Sequence, residues 1–148
     1  MAQHDMKIFE EFAIDIGKKL IDLDGDTLKL AIITTAYGSV AASIATPVWA
    51  DFSGAEVSGT GYTGNGATVA GNALAEASGV ATLDASDVTW SQASGGPVDC
   101  RTAILYSSSA TSSNCIAAVD LGSAAQSLVA GDITVAWHAS GILTMTQS

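Results

Sequence analysis

From residue 67 onward the chain breaks into short strand-like runs at intervals of about ten residues, at 67–75, 80–83, 87–90, 99–106, 115–121, 133–138 and 141–146. Turn-forming stretches separate them: Ser78-Gly79, Ser94-Gly-Gly-Pro97, the Ser-rich 107–114, Gly131-Asp132 and 139–141. Regularly spaced short β runs with turn chemistry between them fold as an antiparallel sandwich or barrel. The segment 133–146, interrupted around His138 and Gly141, reads as a terminal hairpin or a corner where the chain changes sheet.

The first third is patterned differently. Ile8, Phe9, Phe12, Ile16 and Leu20 recur near helical spacing, which predicts one amphipathic helix over 6–21 with Asp5 as N-cap. An acidic turn, Asp22-Leu-Asp-Gly-Asp26, ends it. Residues 27–34 read as the first strand, and their nearly continuous apolar run predicts burial on both faces. Residues 35–66 are weakly patterned and read as a long loop, of the length that in a compact domain usually serves as a binding arm. The expected organisation is a helix and acidic turn over 1–26, then a β-sandwich over 27–148 with an irregular loop at 35–66. The fold class is mainly β: an antiparallel sandwich, jelly-roll-like or Ig-like, with one N-terminal amphipathic helix.

Within that loop, residues 56–66 read Glu-Val-Ser-Gly-Thr-Gly-Tyr-Thr-Gly-Asn-Gly, with glycines grouped around a single aromatic, Tyr62. Gly59, Gly61 and Gly64 match G-x-G-x-x-G, the dinucleotide fingerprint. That motif holds a pyrophosphate only between a buried strand and a helix N-terminus. Here a non-apolar stretch precedes it and an alternating, strand-like stretch follows, so it reads as a turn-building loop.

Other candidate chemistry is equally thin. Asp22, Asp24 and Asp26 resemble the start of a calcium loop, but an EF-hand would need Gly at 27 and Glu at 33, where the chain has Thr27 and Ile33. Cys100, Cys115, His4 and His138 show no metal-ligand spacing, so no metal and no cofactor are expected. If 107–113 joins two neighbouring strands as a hairpin, Tyr106 faces Cys115 and Cys100 faces Leu121, which predicts free buried thiols. His138 has Asp132 near it in sequence but no nucleophile elbow, and reads as a strand-end histidine satisfied by backbone. Asp84, Asp87, Asp99 and Asp120 do not single out a catalytic carboxylate pair. No catalytic residue is expected. Trp90 and Trp137 end strand-like runs and read as core, with Val88 and Val135; Trp49, after Pro47, reads as an anchor for a partner.

Composition narrows the partners. With 15 acidic and 5 basic residues, the net charge of −10 argues against direct nucleic-acid contact. Lys7, Lys18 and Lys19 share the predicted helix with Glu10, Glu11 and Asp15 and read as a solvated or partner-facing side. No apolar run suffices for a membrane span, and the opening residues lack the apolar core of a secretory signal, so a cytoplasmic chain is expected unless it leaves in a larger particle. Charged residues are 14%, well below the ~25% usual for soluble domains. An uncharged surface of small residues has little to oppose association.

Six pieces, in order, resemble a family of small tailed-bacteriophage virion proteins: residues 21–32, 56–67, 83–90 (Leu-Asp-Ala-Ser-Asp-Val-Thr-Trp), 101–106 (Arg-Thr-Ala-Ile-Leu-Tyr), 118–123 and 132–144. The resemblance covers nearly the whole chain and is interrupted at 35–50, which is Ala-rich here. It implies a non-enzymatic capsid decoration, or cement, protein, assembled in the host cytoplasm and carried on the capsid surface. The implied partners are the major capsid protein and further copies of the chain, as dimer or trimer. The expected contacts are Phe9 and Phe12 on the helix and Tyr37, Trp49, Phe52 and Tyr62 in the loop. A tail- or fibre-associated structural protein and a carbohydrate-binding β-sandwich module are the alternatives.

Overall fold

The computed structural model describes residues 5–147; His4 lies outside them. Among these, the chain forms strands β1 (Met6–Ile8), β2 (Leu28–Ile33), β3 (Ala67–Thr68), β4 (Ala73–Ala77), β5 (Val80–Asp84), β6 (Val88–Trp90), β7 (Thr102–Ser107), β8 (Cys115–Asp120), β9 (Ile133–Val135) and β10 (Leu143–Thr146), with one short helix, α1 (Phe12–Gly17). All pairings are antiparallel: a five-stranded sheet in the order β1-β8-β7-β2-β3, a three-stranded sheet β10-β5-β4, and the pair β6-β9.

The large sheet is buried on both faces, as the apolar run at 27–34 predicts. On one face Leu28, Leu30 and Ile32 of β2 join Ala103 and Leu105 of β7. Val88 and Trp90 of β6, Ile133 and Val135 of β9, Leu83 of β5 and Leu143 of β10 pack against them, making the sandwich core. On the opposite face Ala31, Ile33, Ile104, Tyr106 and Ala118 form a second core. Its cover is the 35–66 segment, which contributes Val40, Trp49 and Phe52.

That segment is therefore a packed strap. It makes three single-turn 3-10 helices (Tyr37–Ser39, Trp49–Asp51, Ser53–Ala55). Backbone bonds fasten it at both ends of its crossing: Cys115 N–H to Pro47 O at 2.8 Å, Trp49 N–H to Ser113 O at 2.9 Å, and Thr34 N–H to Ala55 O at 2.9 Å. Its weak pattern reflects a few large anchors spaced among small residues, which no helical or strand period describes.

The helix over 6–21 is corrected. Residues 6–8 are strand β1, paired with β8 in the register Met6↔Val119. Only Phe12–Gly17 is helical. A six-residue helix has little intrinsic stability, whereas the open edge of β8 offers backbone partners to the residues before it. Phe9 and Phe12 then turn into the two separate cores. Asp15, expected on a solvated helix side, is buried and accepts a 3.1 Å hydrogen bond from Asn114 Nδ2. Lys7, expected on the same side, reaches the strap: its Nζ donates to Tyr37 O at 2.9 Å and Val40 O at 2.8 Å and stands 4.0 Å over the Tyr37 ring.

Two further differences have local causes. The strand expected over 67–75 is broken at residues 69–72, where Gly71 takes a φ of 68° and Asn72 Nδ2 donates to Leu23 O at 2.8 Å, so the chain leaves the large sheet for the three-stranded one. In the β7–β8 hairpin Tyr106 does face Cys115, but a bulge between Leu105 and Tyr106 shifts the register, and Cys100 bridges to Gln126 instead of facing Leu121. Both thiols are free and buried. The 138–141 segment is the sheet-changing corner: β9 pairs with β6 and β10 with β5.

Trp90, 5% exposed, lies in the sandwich core. Trp90→Ala is expected to cost about 3–5 kcal/mol in urea unfolding; a loss below about 1 kcal/mol would place Trp90 outside the core.

Candidate functional site

The aromatic residues around the Gly-rich loop form one connected group. Trp49 stacks on Tyr106 at 5.0 Å between centroids and 7° between planes. The Trp49 indole donates to Asn65 Oδ1 at 3.2 Å, and the Tyr106 hydroxyl donates to Asn65 O at 2.7 Å. Asn65 itself has a φ of 66° and Gly66 one of 78°. A side chain at Gly66 would collide with Leu30 O, so glycine lets the loop lie directly on β2.

Tyr62 completes the edge of that strand. Ile32 N–H donates to the Tyr62 hydroxyl at 2.9 Å, and the hydroxyl donates to Glu56 Oε1 at 2.9 Å. Alongside, Val57 N–H donates to Ile32 O at 3.0 Å. The loop thus supplies the hydrogen bonds that a neighbouring strand would supply. The Tyr62 ring also lies 6.3 Å from Trp90, which ties the loop to the sandwich core.

The expected contact residues are consequently engaged within the chain. Phe9, Phe12, Trp49 and Phe52 are each under 9% exposed, and Phe9 meets Phe52 at 5.7 Å. Tyr37 lies under Lys7, and Tyr62 is half-buried. Large aromatics in a weakly patterned segment read equally well as anchors for a partner or for the chain's own sheet, and here the sheet takes them.

The ionisable groups are likewise engaged in holding backbone. Asp22 Oδ1 accepts from Asp24 N–H at 3.1 Å and Gly25 N–H at 2.9 Å. Asp26 Oδ2 accepts from Asp22 N–H at 3.0 Å and the Ser107 hydroxyl at 2.6 Å. Asp24 Oδ1 accepts from Leu74 N–H at 3.0 Å. The acidic turn is a junction between α1, β2, β4 and β7. Asp87 accepts from Trp137 N–H at 2.9 Å, Asp120 from Gly122 N–H at 2.9 Å, and Asp99 pairs with Arg101 at 2.7 Å on the surface. His138 is exposed, and its Nδ1 accepts from Ser140 N–H at 3.0 Å. Among the described residues no three His, Cys, Asp or Glu side chains are grouped as a metal site, and no helix is long and apolar enough to cross a membrane.

Burial disfavours the ionised form of the sulfur and phenol groups. It pushes the Cys100 thiol up to about 11, with Asp99 adding to the shift, and raises Cys115 further, with Asp51 and Asp15 adding. Neither thiol is therefore poised as a nucleophile. Burial likewise pushes Tyr106 up to about 12 and raises Tyr62, where Glu56 adds to the shift and the Ile32 amide opposes it.

Beside β4 lies an open groove of about 470 Å³, its apolar lining Ile16, Ile21, Leu23, Leu74 and Met145 and its charged lining Lys19 and Asp22. Its sequence signal is Ala-Leu-Ala-Glu-Ala, too poor in large apolar residues for a buried strand. Comparison with protein-family models, curated proteins and solved structures finds no match.

Two measurements address this arrangement. Tyr62→Phe leaves the Ile32 amide and the Glu56 carboxylate without their partner and is expected to cost roughly 1–3 kcal/mol in chemical unfolding; wild-type stability would show that the hydroxyl does not complete the edge. The raised thiol and phenol values also fix a pH dependence. Above the ordinary thiol value of 9.0 the unfolded chain loses protons that the folded chain keeps, so stability falls as pH rises towards the folded values, whereas these groups contribute no slope at neutral pH. Tyrosinate absorbance for Tyr62 and Tyr106 is expected to rise together with unfolding. Normal titration near pH 10 with the near-UV CD intact would contradict their burial.

Proposed function

We propose that this chain is a non-enzymatic structural protein of a tailed-phage particle, a capsid decoration protein that binds and stabilises the lattice of the major capsid protein. The observation that carries it is the ordered resemblance of six pieces spanning nearly the whole chain. In the fold these pieces are structural joints. Residues 21–32 hold the acidic turn and most of β2, and residues 56–67 the loop that completes the β2 edge. Residues 132–144 hold β9 and the sheet-changing corner.

The side-chain chemistry supports a structural role. Carboxylates serve as acceptors for backbone amides, the thiols are buried, and the one described histidine is exposed at a corner. A sandwich with a strapped sheet and few charges suits a protein repeated over a shell. Stacking on a sugar needs accessible aromatic faces; Trp49 and Trp90 are buried, and Trp137 is half-buried against the core with its indole N–H donating to Ser86 O at 3.1 Å, so the structural reading is preferred to the carbohydrate-binding one.

The contact surface shifts with the structure. Phe9, Phe12, Trp49 and Phe52 serve the chain's own cores, so the lattice contacts in this proposal are made by exposed surface. The deciding experiment is quantitative mass spectrometry of purified particles, giving copies of this chain per copy of major capsid protein. Near-stoichiometric amounts are expected. A dozen copies or fewer would assign the chain to the tail, and absence from particles would overturn a virion role.

A further inference from the structure

We infer that the free edge of β4, with the groove behind it, binds an extended basic segment of a partner protein by strand addition. The inference stands on the geometry of this edge and holds whether or not the chain coats a capsid.

β4 is the outer strand of its sheet, and all of Ala73–Ala77 is exposed. Ser78 and Gly79, with φ of 54° and 82°, form the two-residue connection to β5. In such a hairpin the flanking pair, Ala77↔Val80, exchanges backbone hydrogen bonds, and alternation carries this to Ala75↔Thr82 and Ala73↔Asp84. The amides and carbonyls of Leu74 and Glu76 therefore point away from β5. Asp24 Oδ1, from the chain's own acidic turn, accepts from Leu74 N–H at 3.0 Å and closes that one position of the edge. The Leu74 carbonyl and both Glu76 backbone groups lie further along the same open side.

The side chains beside this edge define what fits. Leu74, Leu83 and Leu143 form one cross-strand row, and Glu76, Ala81 and Met145 form the next row on the same face. The first row closes over the core at Leu83 and Leu143, while Leu74 stays 36% exposed. Met145 of the second row lines both the groove and an adjoining hollow of about 330 Å³ that Glu76 and Ala81 also line. An added strand would point alternate side chains into this apolar space.

Charge selects among occupants. Asp22 at the groove, Asp24 on the edge amide and Glu76 on β4 surround the site, with Lys19 also lining the groove. A second copy adding its own β4 would bring another Glu76 and Asp24 against these carboxylates, in a chain already at −10. A segment that alternates apolar residues with Lys or Arg is complementary: its apolar side chains meet Leu74 and Met145, and its cations meet the carboxylates.

The test is an amide- and methyl-detected NMR titration of the full chain. The probe is a capped seven-residue peptide of alternating lysine and leucine; one control carries glutamate in place of lysine, another N-methyl groups on alternate amides. Shifts confined to residues 74–77 and the Met145 methyl are expected with the lysine peptide, with no binding of the glutamate peptide. Glu76→Ala and Glu76→Pro both remove the carboxylate and its bond to Gly79 N–H, and Pro alone also removes the outward amide without touching the β5 ladder, so Glu76→Pro is expected to bind about fivefold or more weaker than Glu76→Ala, the size of one lost hydrogen bond. Shifts scattered over the acidic surface, or an N-methylated peptide that binds as well as its parent, would overturn strand addition, and the second criterion holds even if Glu76→Pro fails to fold. Concentration-dependent dimerisation through β4 in sedimentation would overturn the basic partner in favour of a second copy.

Discussion

A central sheet whose middle strands have no exposed face has to be covered twice, and most of the structure follows from that. β2 and β7 put large apolar side chains on both sides. The smaller sheets cover one side as the sandwich partner. Among the described residues no second sheet covers the other side, and the 35–66 segment lies over it instead, using a few large side chains separated by small ones. The segment's backbone, lacking regular structure, is satisfied against strand ends and against its own short turns.

The same constraint explains the chemistry of the loop at 56–66. β3 pairs with β2 only at Lys29 and Leu30, so the amide of Ile32 would face an empty edge. An unpaired buried amide is costly. The Tyr62 hydroxyl accepts from it and donates in turn to Glu56, and Gly66 permits the close backbone approach that places the loop there. What looks in sequence like a phosphate-binding motif is thus the edge seal of a sheet.

Much of the β architecture was legible because its signals are local. Short runs, turn residues and the doubly apolar 27–34 segment each depend on a few neighbouring positions, and the structure follows them. The terminal corner was narrowed to two options and resolved by which strands β9 and β10 chose. The misread parts depend on distant partners. Residues 6–8 have helical spacing, yet β8 decides their conformation from more than a hundred residues away. The bulge at Leu105/Tyr106 adds one residue that no hydrophobic period reveals. The candidate contact residues were expected to meet a partner; spaced aromatics look the same in sequence whether they meet a partner or the chain's own sheet, and Phe9, Phe12, Trp49 and Phe52 pack in the chain's own cores. The groove beside β4 is not legible in sequence because its walls come from α1, the acidic turn, β4 and β10, which only the fold assembles.

The pairing of the first strand with β8 also dictates when this molecule can be complete. Met6 waits for Val119, and Asp15 for Asn114, a separation of 99 residues. During synthesis the amino-terminal segment leaves the ribosome with neither its sheet nor its cores available. The strap cannot receive its Lys7 clamp in place until β7 and β8 have formed beneath it. Such distant pairings slow folding, because loops must close before contacts reward them. Apolar segments such as β2 are meanwhile exposed on an unfinished chain, so the nascent protein is at its most association-prone just before its last third emerges.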